Sequence, residues 1–150
     1  MDGLGFATLA VVGFTACAEF GSYAFVHPVI RRLPATEHIF VEQGLLRTFG
    51  RVMPVAMTGC VVLSLTYALA HAPTPHVWRW AAAGALAAAL VSTIIFNVPI
   101  NLATGRWNAS NPPPDWRATR NRWELFQGLR SWLLLVGFVL LCIGFSNIAS

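Results

Sequence analysis

The apolar positions of this chain fall into four long runs separated by connections of very unequal length. Residues 4–26, 52–70, 78–98 and 131–147 are almost free of charge. Each run approaches the roughly 20 residues that cross about 30 Å of hydrocarbon as a helix. The first run has neither a basic n-region nor an evident small-residue cleavage site, so it reads as a retained helix and not a signal peptide. Pro54 stands near the start of the second run, where proline is tolerated. The pattern predicts an all-α chain: an integral membrane four-helix bundle forming a single transmembrane domain over residues 1–150.

The connections carry further pattern. Residues 71–77 form a short turn with Pro73 and Pro75, flanked by His71 and His76, which read as solvated. Pro34-Ala35-Thr36-Glu37 reads as a helix start, with Thr36 as N-cap and Glu37 in the first turn. Ile39, Leu46 and Phe49 then alternate at helical spacing with Glu42 and Arg47. A helix over about 36–51 therefore continues into the second span. Asn111-Pro112-Pro113-Pro114 is a turn, after which Asp115 caps a helix over about 115–128. Its Trp116 and Trp123 among arginines suit an interfacial helix. No internal repeat is present.

Composition strengthens the membrane reading. The chain is 56% hydrophobic and 11% charged, with mean hydropathy +0.61. Soluble domains carry about a quarter charged residues, whereas a charge near the bilayer centre costs at least a few kcal/mol. All ten basic residues are arginine. Nine lie in or at the ends of the two long connections, and only Arg79 borders the short turn. That asymmetry predicts cytoplasmic long connections, both termini on the outer side, and a multi-pass protein of the cell inner (plasma) membrane. Arginine without lysine, beside abundant Ala, Gly and Pro, is the composition of a GC-rich bacterial genome. The net charge of +4 does not imply nucleic acid, because the arginines flank apolar runs and form no basic face. Cys17, Cys60 and Cys142 lie inside apolar runs, without zinc-site spacing or a disulfide framework, and read as packing residues.

Glu19 is the sharpest chemical feature. A carboxylate inside a span is a functional-site candidate, although an Arg-paired structural role would also place it there. Tyr23, at i+4, shares its face and can hydrogen-bond it. His27-Pro28 ends the first span, where the histidine can carry protons, ligate a metal or simply close the helix. His38 and Glu42, at i and i+4, have metal-ligand spacing but are only two ligands; a solvated face gives the same pattern. Asn97-Val98-Pro99-Ile100-Asn101 closes the third span, with amides that can satisfy backbone groups freed by Pro99 or bind a substrate oxygen. Trp123, Gln127 and Arg130 share a face. Arg130 either snorkels or neutralises Glu19 or an anionic oxygen. Glu19, His27, Asn97, Asn101, Trp123 and Arg130 converge at one depth, which predicts a polar pocket between the helices.

These residues together resemble the anthrone oxygenase-like family of small four-helix membrane proteins. The resemblance rests on Glu19 in a Gly/Ala-rich span, His27-Pro28, Leu33-Pro34, Glu42-Gln43, Arg51-Val52-Met53-Pro54, Asn97-Val98-Pro99-Ile100-Asn101, and Trp116 with Arg122-Trp123-Glu124 ahead of Arg130. Gln127 stands where many relatives are expected to carry histidine. The resemblance implies oxygenation of a lipophilic, electron-rich aromatic, such as an anthrone or hydroquinone, by dioxygen without an added cofactor. It makes Glu19, His27 and Arg130 the catalytic candidates, and Tyr23, Asn97, Asn101, Trp123 and Gln127 the substrate-binding ones. Two other classes stay open at this level. One is a redox protein holding haem or a transition metal through His27, His38 and Glu42. The other is a non-catalytic membrane subunit. The expected partners are the lipid bilayer and a lipophilic small molecule; a homo-oligomer stays open.

Overall fold

The structure is a computed structural model, and it describes residues 2–71 and 77–146. Five helices make up its regular structure: α1 (Gly3–Ile30), α2 (Ala35–Arg47), α3 (Phe49–Ala70), α4 (Val77–Thr104) and α5 (Trp116–Ser146). All but α2 are long and apolar enough to cross a membrane. In hydrocarbon every backbone N–H and C=O must be paired within its own segment, which leaves helices as the available solution for such runs.

Two prolines that should end helices do not. Pro28 and Pro99 each follow a π-helical turn, Ser22–Val26 in α1 and Thr93–Asn97 in α4. Proline has no N–H for the carbonyl four residues back, and its ring crowds that carbonyl. The widened turn shifts the pairing by one residue: the N–H of His27 reaches the Ser22 carbonyl and that of Val98 reaches Thr93. Each helix therefore continues past its proline. The helices thus run to Ile30 and Thr104, beyond the expected span ends near Val26 and Val98.

The second and fourth spans also differ from expectation. The helix before span two starts at Ala35, with Pro34 in the cap position and no side-chain cap bond, so Thr36 is not the N-cap. It does not run into the membrane unbroken. Thr48 (φ −108°, ψ −82°) separates α2 from α3, and its hydroxyl turns back towards the Gly44 and Leu45 carbonyls, a local bond that competes with the helix ladder. The expected interfacial helix over 115–128 and the fourth span are instead one continuous α5 of 31 residues. Its Trp116 and Trp123 are buried in the protein, not laid along an interface. Asn147 and the turn with Pro73, Pro75 and His76 lie outside the described residues.

The bundle runs up and down in sequence. At one end Asp2 meets His71 (3.3 Å), Arg79 donates to the His71 carbonyl (3.2 Å), and Tyr67 stacks on Phe145. His71 is thus engaged, not merely solvated. Those contacts gather the start of α1, the end of α3, the start of α4 and the end of α5. Around the bundle α1 packs on α3, α3 on α4, α4 on α5 and α5 on α1. The apolar core runs through Val12, Ala16, Met57, Cys60, Leu86, Ala89 and Leu134. Small residues allow the close approach that membrane helices use; a Cβ on Gly137 would come within 2.9 Å of Leu86. Phe14, Phe25, Val55, Ile95 and Leu125 face outward, as lipid contact requires.

Candidate functional site

At the other end of the bundle, one stripe of α5 carries Trp116, Arg120, Trp123, Glu124, Gln127, Arg130 and Ser131, all buried. Spacings of three and four keep them on one face. Their partners come from α1, α2 and α4.

The deepest tier is built around Glu19, which is wholly buried. Gln127 Nε2 and an Arg130 terminal nitrogen both donate to its Oε2 at 2.9 Å. The same Arg130 nitrogen also donates to Gln127 Oε1, and the Ser131 hydroxyl donates to the Glu19 carbonyl at 3.3 Å. Arg130 therefore neutralises Glu19 and does not snorkel. Tyr23 shares the expected face but packs its ring against Gly128 and edge-on to Phe20.

The next tier joins α1, α4 and α5. Asn97 Nδ2 donates to the Trp123 carbonyl at 3.1 Å. The Trp123 ring lies 4.8 Å from that of His27, and the Arg120 guanidinium sits 4.2 Å over the same indole, a cation–π arrangement. Glu124 pairs with Arg31 at 2.9 Å.

The outermost tier corrects an expectation. His38 and Glu42 do not form a solvated face; both are buried where α2 lies against α5. Glu42 Oε1 meets Arg120 at 2.6 Å, His27 Nδ1 at 3.5 Å and His38 Nε2 at 3.7 Å. His38 also stands edge-on to Trp116. Burial opposes the Glu42 charge, but the neighbouring His27 and Arg120 outweigh it, and the carboxyl lies below its ordinary range. Burial lowers the His38 pKa; Glu42 opposes that change, while Arg120, Arg117 and His27 reinforce it. Among the described residues no three His, Cys, Asp or Glu side chains are placed to hold a metal ion.

A cavity of about 520 Å³ opens beside these tiers, within the roughly 300–1,000 Å³ of small-molecule sites. Its polar lining includes Ser22, His27, Glu42, Asn101, Gln127 and Arg130. Its apolar lining includes Leu45, Phe49, Met53, Pro54, Val98, Leu102 and Trp123. Glu19 and Asn97 stand behind its wall, holding Arg130, Gln127 and Trp123. Tyr23 lines a smaller cavity with His27, Arg31, Glu124 and Gln127. Asn101 Oδ1 and Trp123 Nε1 are buried without a hydrogen-bond partner among the described residues, so each has bonding capacity for a ligand. Gln43 fastens α2 to the end of α4 and the connection after it by donating to the Thr104 and Trp107 carbonyls at 3.0 and 2.8 Å.

Arg120 and Glu124 are among the site residues that sequence reading missed. Their signal is the 3–4 spacing with Trp116, Trp123, Gln127 and Arg130, which is masked once arginines are counted only as markers of sidedness.

The fold and site define a class: a small four-helix membrane protein with buried ion pairs beside an amphipathic cavity. The family profile described as anthrone oxygenase matches residues 45–140, and the chain belongs to that family. The match takes in Asn101, Trp123, Gln127 and Arg130; Glu19, His27, His38 and Glu42 precede it. No curated protein matches, and no solved structure does.

Proposed function

We propose that the protein oxidises a lipophilic anthrone- or hydroquinone-like aromatic with dioxygen, and that His27 is the base. The observation that carries this reading is the cavity itself. Its lining brings together an imidazole, the donors Arg130, Gln127 and Asn101, and apolar residues such as Leu45, Met53 and Leu102. Glu19, the other candidate base, is bonded to Arg130 and Gln127 behind that wall and serves to position them.

For an anthrone the steps balance without a further reagent. His27 takes one proton from the methylene carbon, and the electron pair delocalises onto the carbonyl oxygen across the central ring, where the amide and guanidinium donors meet the growing charge. The carbanion passes one electron to dioxygen; the radical pair combines into a carbon–oxygen bond, and the peroxide takes the proton back. Loss of the second methylene proton then breaks the O–O bond, leaving a carbonyl and releasing water. The reading also places the long connections in the cytoplasm and the bundle in the plasma membrane, on the arginine asymmetry.

Oxygen uptake by purified protein with anthrones and hydroquinones, in matched detergent, tests the reading. Wild type should consume oxygen and His27→Ala should lose at least about 10²-fold in turnover. Full activity in His27→Ala would remove His27 as base. A wild type inert to every such substrate, or active only with added haem or metal ion, would overturn the cofactor-free oxygenase.

A further inference from the structure

His27 is enclosed on two sides. Trp123 lies against its ring, and Glu42 faces its Nδ1 at 3.5 Å, with both the histidine and the glutamate side chains nearly inaccessible. Glu42 is itself held: Arg120 meets its Oε1 at 2.6 Å, and Arg120 is fixed over the Trp123 indole. A carboxylate only accepts hydrogen bonds. It therefore favours the imidazole tautomer with the proton on Nδ1, and it leaves the lone pair on Nε2.

We propose that Glu42, clamped by Arg120, is the positioning carboxylate that fixes the Nδ1–H tautomer of His27 and stabilises the imidazolium formed when Nε2 takes a proton from the substrate. The inference rests on the reading of His27 as the base. Charge balance supports it. The buried carboxylates Glu19, Glu42 and Glu124 are matched by Arg130, Arg120 and Arg31. An imidazolium would add one positive charge to these balanced pairs, and the substrate anion formed in the same step offsets it. The only bond broken is the substrate C–H and the only bond formed is Nε2–H. The 3.5 Å separation belongs to the resting site; such contacts tighten as charge develops.

The test is ¹⁵N NMR of histidine-labelled protein in detergent, with the His27 signal assigned by its loss in His27→Gln. Wild type should show a protonated Nδ1 and an unprotonated Nε2. Glu42→Gln should shift that signal towards the other tautomer and lower kcat by about 10²-fold or more, with KM changed much less. Glu42→Asp, which keeps the charge on a shorter arm, should fall between the two. An Nε2–H tautomer in the wild type would overturn the inference without any variant having to fold. So would an unchanged His27 signal and kcat in Glu42→Gln, while loss of turnover in His27→Ala left the base itself standing. Full turnover in His27→Ala would instead remove the base, and with it the catalytic consequence of Glu42.

Discussion

Gln127 donates its side-chain amide to Glu19 at 2.9 Å, joining α5 to α1 across 108 positions of sequence. The same carboxylate oxygen accepts from Arg130, so a single oxygen holds both donors at the cavity wall.

Neutralising Glu19 should therefore destabilise the bundle. Glu19→Gln leaves the Arg130 guanidinium buried without its counter-ion, and breaking a buried pair costs about 3–5 kcal/mol. Adding Arg130→Gln should recover part of that loss, because no uncompensated charge is left. Unfolding of the detergent-solubilised variants measures both. A Glu19→Gln protein as stable as wild type would show that the pair does not carry the predicted load.

Gly128 tests the packing of the same helices. A Cβ there would meet the Tyr23 ring at 2.9–3.1 Å, closer than the ring can accept without moving. Gly128→Ala should cost about 1–3 kcal/mol, the usual range for overpacking. Tyr23→Leu in the same chain should relieve it. Equal stability of Gly128→Ala and wild type would contradict the close approach.

The four spans were legible because lipid exposure leaves little alternative to long apolar runs. Their ends were not. Pro28 and Pro99 read as terminators, and the π turns that absorb them have no marker in the pattern of apolar residues. The site was half legible. Glu19, Gln127 and Arg130 were visible as polar groups inside or beside spans, and the structure brings them together. His38 and Glu42 were misread because an amphipathic helix beside a membrane is expected to turn its charges to water. Here α5 begins far enough ahead of its apolar run for Arg120 and Trp116 to cover them.

The α2–α5 contact should weaken in acid. His38 has a folded pKa lowered from 6.5, so the unfolded state binds the proton more readily. Its cost is absent above 6.5 and grows as pH falls from there to the folded value. Glu42 is lowered from 4.5; its contribution is full above 4.5 and is lost as pH falls through its folded value. Both act in the same direction, His38 at the higher pH. Thermal midpoints should fall as pH drops below 6.5, and His38→Gln should flatten the first part of that fall. A midpoint that rose on acidification would reverse the predicted sign.

The proposed sidedness rests on the arginine asymmetry and can be measured directly. With the three native cysteines replaced, Ser110→Cys in the α4–α5 connection should react with an impermeant thiol reagent only after the membrane is opened. Labelling of intact cells at that position would invert the bundle.

Asn101 offers the cleanest test of charge stabilisation in the cavity. It lines the wall, and its Oδ1 has no hydrogen-bond partner among the described residues, so its removal leaves no buried partner stranded. In the proposed reaction its amide N–H meets the oxygen on which the carbanion charge collects. Losing one such donor typically costs about 10²–10³ in kcat. Asn101→Ala should therefore lower kcat by that factor with little change in KM, because the charge develops after the neutral substrate binds. Asn101→Asp should be worse, since it sets a carboxylate where negative charge forms. Arg130 is less informative, because its loss also strands Glu19. Oxygen uptake at saturating and limiting substrate separates kcat from KM. A change confined to KM in Asn101→Ala would make the residue a binding contact and remove it from the chemistry.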